Sequence, residues 1–255
     1  MKILVLLKQT FDTEAKISIE GGKISRSGVS MIINAYDEFA VEEALKIKES
    51  LGGEVTVIST GDDGVQDALR QALAMGADKA VLINPGTDDV DEFTTATILA
   101  KAVSGMEYDL ILAGWRAVDD GSAQVAGRVA EILGIPIAKL AAKIDVEAGK
   151  ATATCEIEGG TEVIEIPLPA IITAQKGLNE PRYPSMKGIM QAKKKPMDKK
   201  GLGDLGLDAG AVAAKVKVLS VSLPAARAAG KVFDGEPADT AAAVVKALRE
   251  EAKVI

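Results

Sequence analysis

The sequence contains no histidine. That absence removes a Ser-His-Asp triad, a histidine metal ligand and a histidine proton shuttle from anything the chain does by itself. It has one cysteine, Cys155, which excludes an intrachain disulfide and any multi-cysteine zinc or iron–sulfur site and suits a reducing compartment; the expected location is the cytoplasm of a prokaryote. Within the alternating run Ala151 to Ile157, Cys155 reads as a packed small hydrophobe with no chemistry of its own. Aromatic residues make up only 3%, so the interior has to be built from Ala, Val, Ile and Leu, the mixture that helix-on-sheet packing uses. Basic residues are outnumbered, giving a net charge of -7, which leaves no general nucleic-acid footprint. Long apolar runs are missing too. The opening Met1 to Lys8 is too short for a signal peptide or membrane span and reads as a first strand.

What is present is enough for a substantial core: 255 residues, 47% of them hydrophobic. Buried strands are predicted at Lys2 to Leu7, Glu54 to Thr60, Lys79 to Asn84 and Tyr108 to Ala113. Helices lie between them at Tyr36 to Leu51, around Val65 to Leu73 with Gly76 as its stop, and at Glu92 to Val103. This alternation predicts an α/β fold with a doubly wound, mostly parallel sheet, which binds ligands at the carboxyl ends of its strands. Gly21-Gly22 should turn a hairpin between Thr13 and Ser27, and Lys139 to Ile166 should form an antiparallel meander before a core strand at Ala170 to Thr173. The expected division is an α/β domain over 1–174, a basic arm or linker over 175–210, and a C-terminal unit over 211–255. That last unit is predicted to hold a strand at Lys215 to Ser222 and a helix at Pro237 to Ala252, set apart from the core and expected to pack its apolar faces on a partner subunit.

Gly114, Trp115, Arg116, Ala117, Val118, Asp119, Asp120, Gly121, Ser122, Ala123, Gln124 and Val125 follow the fourth strand and precede a helix running to Leu133. Free N–H groups at that helix start, with Ser122 and Arg116, suit a phosphate, and Trp115 suits a ring system. Asp119 and Asp120 repel phosphate and fit ribose hydrogen bonds or helix capping; capping alone by Asp120 and Ser122 is the plainer alternative. The G-x-G-x-x-G at Gly201 to Gly206 reads as a false match because no strand is expected before it, and no P-loop motif occurs. From Arg182 to Lys200 the chain carries seven basic residues against Asp198, a local asymmetry suited to an acidic partner or to simple solvation.

Val41-Glu42-Glu43-Ala44-Leu45, Ala72-Leu73-Ala74-Met75-Gly76-Ala77-Asp78 and Leu178-Asn179-Glu180-Pro181-Arg182-Tyr183 resemble the beta subunit of electron transfer flavoproteins, over essentially the whole chain. The resemblance implies a Rossmann-like adenine-nucleotide-binding subunit of a heterodimer whose alpha subunit holds most of the FAD site. It implies that AMP contacts Leu6, Asn34, Ala35, Tyr36, Asp37, Thr60 and the Gly114 to Val125 loop. It also implies that Asn179, Glu180, Pro181, Arg182, Tyr183, Met186, Ile189, Met190, Lys193, Lys194 and Lys195 recognise acyl-CoA dehydrogenase-type flavoenzymes. The family's usual anchor leucine there falls on Met186. The implied activity is electron relay through FAD to a membrane quinone reductase, as in fatty acid oxidation, without bond chemistry in this chain. Some relatives hold a second FAD in place of AMP and oxidise NADH while bifurcating electrons. Asp119-Asp120 and the lysine run favour AMP, whereas Ser122 to Val125 is closer to the bifurcating type. A stand-alone adenine-nucleotide-binding regulator is the alternative of another class.

Overall fold

A computed structural model describes residues 1–227 and 229–255. In chain order the elements are β1 (Lys2–Leu6), β2 (Gln9–Phe11), β3 (Ile19–Glu20), β4 (Lys23–Ile24), β5 (Met31–Ile33), α1 (Ala35–Leu51), β6 (Glu54–Thr60), α2 (Gln66–Met75), β7 (Lys79–Asn84), α3 (Glu92–Ser104), β8 (Leu110–Gly114), α4 (Val125–Leu133), β9 (Ile137–Glu147), β10 (Lys150–Ile157), β11 (Gly160–Pro167), β12 (Ala170–Ala174), α5 (Met186–Ala192), β13 (Met197–Gly201) and α6 (Pro237–Ala247).

One nine-stranded sheet organises the chain in the order β11-β10-β9-β12-β8-β1-β6-β7-β13. Its six central and right-hand pairings are parallel, and only the β9-β10-β11 meander is antiparallel. The strand period of two sends Ile3, Val5 and Leu7 into one core and Leu4 and Leu6 into the other. Helices α1 and α2 supply Val41, Leu45, Leu69 and Leu73 to the first core, and α3 and α4 supply Ile98, Val103 and Val129 to the second. Full burial of each such aliphatic side chain stabilises the fold by about 1.5–3 kcal/mol. The chain runs outward from β1 through β6 and β7, then places β8 on β1's other side, so the sheet's switch point lies between β1 and β8.

The hairpin forms as expected, with Gly21 and Gly22 both at positive φ between β3 and β4, the backbone that a two-residue primed turn demands. Cys155 is buried on β10 in the first core, and burial pushes its thiol up. Three expectations need correction. The segment 175–210 is not simply an extended arm or linker, because it contains α5 and then β13, which pairs in parallel with β7. A strand therefore does precede Gly201 to Gly206, although a single 3-10 turn at Gly203–Leu205 follows it instead of a helix, so no phosphate loop results. Lys215 to Ser222 forms no strand. The outer edge of β7 is already taken by β13, and the amides of Lys215 and Val216 donate to the Asp91 carboxylate at 2.6 and 3.0 Å. Among the described residues no helix is long and apolar enough to cross a membrane.

Candidate functional site

Three chain segments meet at the switch point: the exit of β1, the first turn of α1 and the loop after β8. Asp37, buried in that turn, accepts from the Lys8 amide through Oδ2 at 2.7 Å and from the Gly114 amide through Oδ1 at 2.9 Å. It thereby ties together the ends of two adjacent strands. Burial pushes its carboxyl up to about 7 against the pull of those donors. The approach requires glycine, since a β-carbon at Gly114 would stand 2.4 Å from Asp37 Oδ1 and 2.7 Å from Tyr36 Cβ. Asn34, at the N-cap position of α1, leaves that helix uncapped by its side chain. Instead its Nδ2 donates to the Arg116 carbonyl at 2.9 Å and its Oδ1 accepts from the Val118 amide at 3.1 Å, closing the loop.

Outside this frame, Trp115 meets Tyr36 edge-on at 5.4 Å, and the Arg116 guanidinium lies 4.4 Å from the indole centroid and 5.5 Å from the phenol ring. Lys8 Nζ bonds Asp119 Oδ1 at 2.8 Å and Asp120 Oδ2 at 2.7 Å. Partial burial opposes the Lys8 charge, yet the two carboxylates hold its ammonium above the usual lysine value. Burial likewise opposes ionisation of Asp120, and Lys8 together with the Ser122 amide holds it below the ordinary range. Helix α4 then begins with no side-chain cap, leaving its first-turn N–H groups open to an anion. Three buried polar atoms near the carboxyl end of the sheet, Thr10 Oγ1, Ser59 Oγ and Trp115 Nε1, have no hydrogen-bond partner. A separate concavity lined by Met1, Leu51, Tyr108, Asp109, Glu147 and Leu168 opens at the opposite end of the strands, away from these groups.

The second candidate surface follows β12. Asn179 Nδ2 donates to the Phe39 carbonyl at 3.0 Å and to Glu43 Oε2 at 2.9 Å. Arg182 forks onto Glu42 and reaches Glu49, and Lys195 Nζ donates to the carbonyls of Leu73 and Ala77. Beyond these anchors Tyr183, Met186, Ile189 and Met190 are exposed, Tyr183 at 95% and Met186 at 77%.

The electron transfer flavoprotein domain model matches residues 21–204. The chain is 48% identical over 257 residues to the electron transfer flavoprotein subunit beta of Bacillus subtilis, covering 100% of both chains. It is 49% identical over 255 residues to that of Syntrophomonas wolfei, covering 100% of this chain and 98% of the relative. The chain belongs to the electron transfer flavoprotein beta-subunit family. A further family member, the caffeyl-CoA reductase-Etf complex subunit CarD of Acetobacterium woodii, is 37% identical over 259 residues, covering 98% of this chain and 99% of the relative.

For this family member the structure brings Asn34, Asp37, Gly114, Arg116 and Val118 into one hydrogen-bonded unit and draws Asp119, Asp120 and Ser122 in beside it. Leu6 is different: its side chain is buried in the second core, so only its backbone lies at the sheet's edge. Thr60 ends β6 half-buried and makes no side-chain hydrogen bond to the loop. Helix capping by Asp120 and Ser122 does not occur, because α4 starts after Gln124. Lys8 was missed; its sequence signal was a lone charge directly after the first apolar run. Among the arm residues, Asn179, Arg182 and Lys195 are occupied within the chain, whereas Glu180, Lys193 and Lys194 are exposed and Pro181 is half-buried.

Proposed function

We propose that this beta subunit joins an alpha subunit to relay electrons from acyl-CoA dehydrogenase-type flavoenzymes to a membrane quinone reductase, with AMP as a structural ligand at the β1/β8 switch point. FAD, held mainly by the alpha subunit, supplies the electron-accepting chemistry. This chain's own residues bind and orient. The observation that carries the nucleotide reading is the prebuilt Asp37–Asn34–Gly114 frame with unpartnered Ser59 Oγ and Trp115 Nε1 beside it. Buried polar atoms without partners cost about 1–3 kcal/mol each, a penalty that a polar ligand relieves. The loop backbone from Gly114 to Asp120 and the uncapped amides of α4 would hold the nucleotide. Arg116, over Trp115 and Tyr36, would sit against its ring or phosphate.

The Asp119-Asp120 pair and the lysine run at 193–195 resemble the AMP-holding relatives and support AMP over a second FAD. The likeness to the Acetobacterium woodii complex subunit supports the second reading, in which the site takes FAD and the assembly oxidises NADH. The exposed C-terminal apolar residues support a subunit over a stand-alone regulator. The lone cysteine suits the reducing cytoplasm in which we place the assembly.

The test is to co-express the chain with its alpha subunit, denature the purified complex and count the released nucleotides by chromatography. One FAD and one AMP per heterodimer is the expected result. Two FAD without AMP would transfer the assignment to bifurcation, and FAD without any second nucleotide would remove the switch-point site.

A further inference from the structure

Between β12 and β13 the chain crosses most of the sheet, since β8, β1, β6 and β7 lie between those two strands. The crossing runs over the α1/α2 face, where Leu178, Ala192 and Met197 join the first core. At its root, Arg182 Nε and Nη2 make a two-pronged contact with Glu42 at 2.8 and 2.9 Å, and the Arg182 amide donates to the same carboxylate at 3.1 Å. Nη2 also reaches Glu49 Oε2 at 3.1 Å. Glu42 is buried, so the Arg182 guanidinium and amide together satisfy a carboxylate largely shielded from water.

The far end is held as firmly. Lys195 Nζ closes the C-terminus of α2 on the carbonyls of Leu73 and Ala77 at 2.9 and 2.6 Å, and Arg70 returns from α2 to the carbonyls of Ala192 and Lys195. In the middle, Ser185 Oγ accepts from the Gly188 amide at 3.0 Å. A β-carbon on Gly188 would stand 2.4 Å from the Ala74 carbonyl oxygen, so α5 lies with its backbone directly against α2. Tyr183, Met186, Ile189 and Met190 are thus exposed on a segment fastened at root, middle and end.

We propose that Arg182 is a positioning residue: its fork on Glu42 and Glu49 sets the lie of the crossing segment, so that the Tyr183–Met190 apolar face meets the redox partner already formed. The inference rests on the docking role proposed above. A preformed face loses less conformational entropy on binding, which lowers the dissociation constant without adding a contact.

The experiment uses the purified heterodimer with Arg182→Ala, Arg182→Lys and Met186→Ala. Amide exchange of residues 183–192 is measured on each variant, together with steady-state electron transfer from an acyl-CoA dehydrogenase. Arg182→Ala should raise exchange in that window and raise KM for the dehydrogenase about tenfold, with kcat within about twofold. Arg182→Lys should not restore either, because an ammonium lacks the planar fork. Met186→Ala should raise KM with exchange unchanged. Unchanged exchange in Arg182→Ala overturns the proposal. So does raised exchange with KM unmoved while Met186→Ala raises it. If neither variant moves KM, the docking reading itself falls and the positioning role falls with it.

Discussion

Up to Val212 and beyond it, the chain uses apolar residues in opposite ways. Before that point Val, Ile and Leu fill two cores on either side of a sheet. After it no described residue is buried, and Val216, Val218, Leu219, Leu223 and Val232 stand exposed, Leu219 at 87%. Helix α6 forms, with Pro237 in its first turn, yet Val244, Val245 and Leu248 remain outside any core. Apolar surface on this scale with no use among the described residues fits the contact with an alpha subunit proposed above. The border between the two regimes is a single carboxylate. Asp91 caps α3 through Oδ1, accepting from the Thr94 amide and hydroxyl, and holds the Lys215 and Val216 amides through Oδ2. Desolvation works against its charge, but these four donors hold the carboxyl down at about 2.

The most drastic way to break this comparison is to remove residues 217–255. The remaining chain should keep its thermal midpoint within a few degrees, while sedimentation shows association with the alpha subunit weakened at least ~100-fold, or about 2.7 kcal/mol. Assembly at wild-type strength would make the exposed tail an idle appendage. The reverse effect is expected from Gly114→Ala. Its β-carbon displaces Asp37, should destabilise the domain by about 1–3 kcal/mol and should empty the proposed nucleotide site, as calorimetry and the AMP count would register, with the tail unaffected.

Asp91→Asn separates the two regimes at their border. Asparagine caps a helix about as well as aspartate, so α3 should hold, while its amide nitrogen cannot accept from Lys215 and Val216. Release of those two amides, worth about 1 kcal/mol, is read by hydrogen exchange. Because the folded pKa is depressed, the wild-type contribution is fully present above the ordinary carboxylate range and is lost as pH falls through about 2. Variant and wild type should therefore converge in acid. The smallest effect belongs to Lys8→Met. Its two ion pairs are partly solvent-exposed, at 44% for Lys8 and 42% for Asp120, so screening limits the loss to about 1 kcal/mol or less. The variant's nucleotide affinity should depend less on salt than the wild type's.

Two segments explain where sequence reasoning stopped. Lys215 to Ser222 alternates charge and valine as a strand does, and it is not one; Met197-Asp-Lys-Lys-Gly shows no such pattern, and it is the sheet's last strand. Alternation describes what a strand's faces want, whereas pairing depends on which edge is vacant, and that is settled by the whole sheet. Charged residues on an outermost strand also hide it, since they are the usual guard against edge-to-edge association. The central strands were legible as short continuous apolar runs buried on both faces, and α1 to α4 because each buries one face at the helical period. The Gly114 loop was legible because it follows a core strand. Its electrostatics were not, because Lys8 and Asp120 meet across 112 residues of sequence.

Helix α1 has one further consequence. Its first turn grips the Gly114 loop through Asp37, and its next turns grip the crossing segment through Glu42, Glu43 and Glu49. One rod thus carries both the Gly114 loop and the crossing segment, separated by a set number of helical turns at 1.5 Å per residue. If the proposed docking and nucleotide roles hold, a donor seated on that segment finds its distance from the ligand already gauged, with α1 as the ruler.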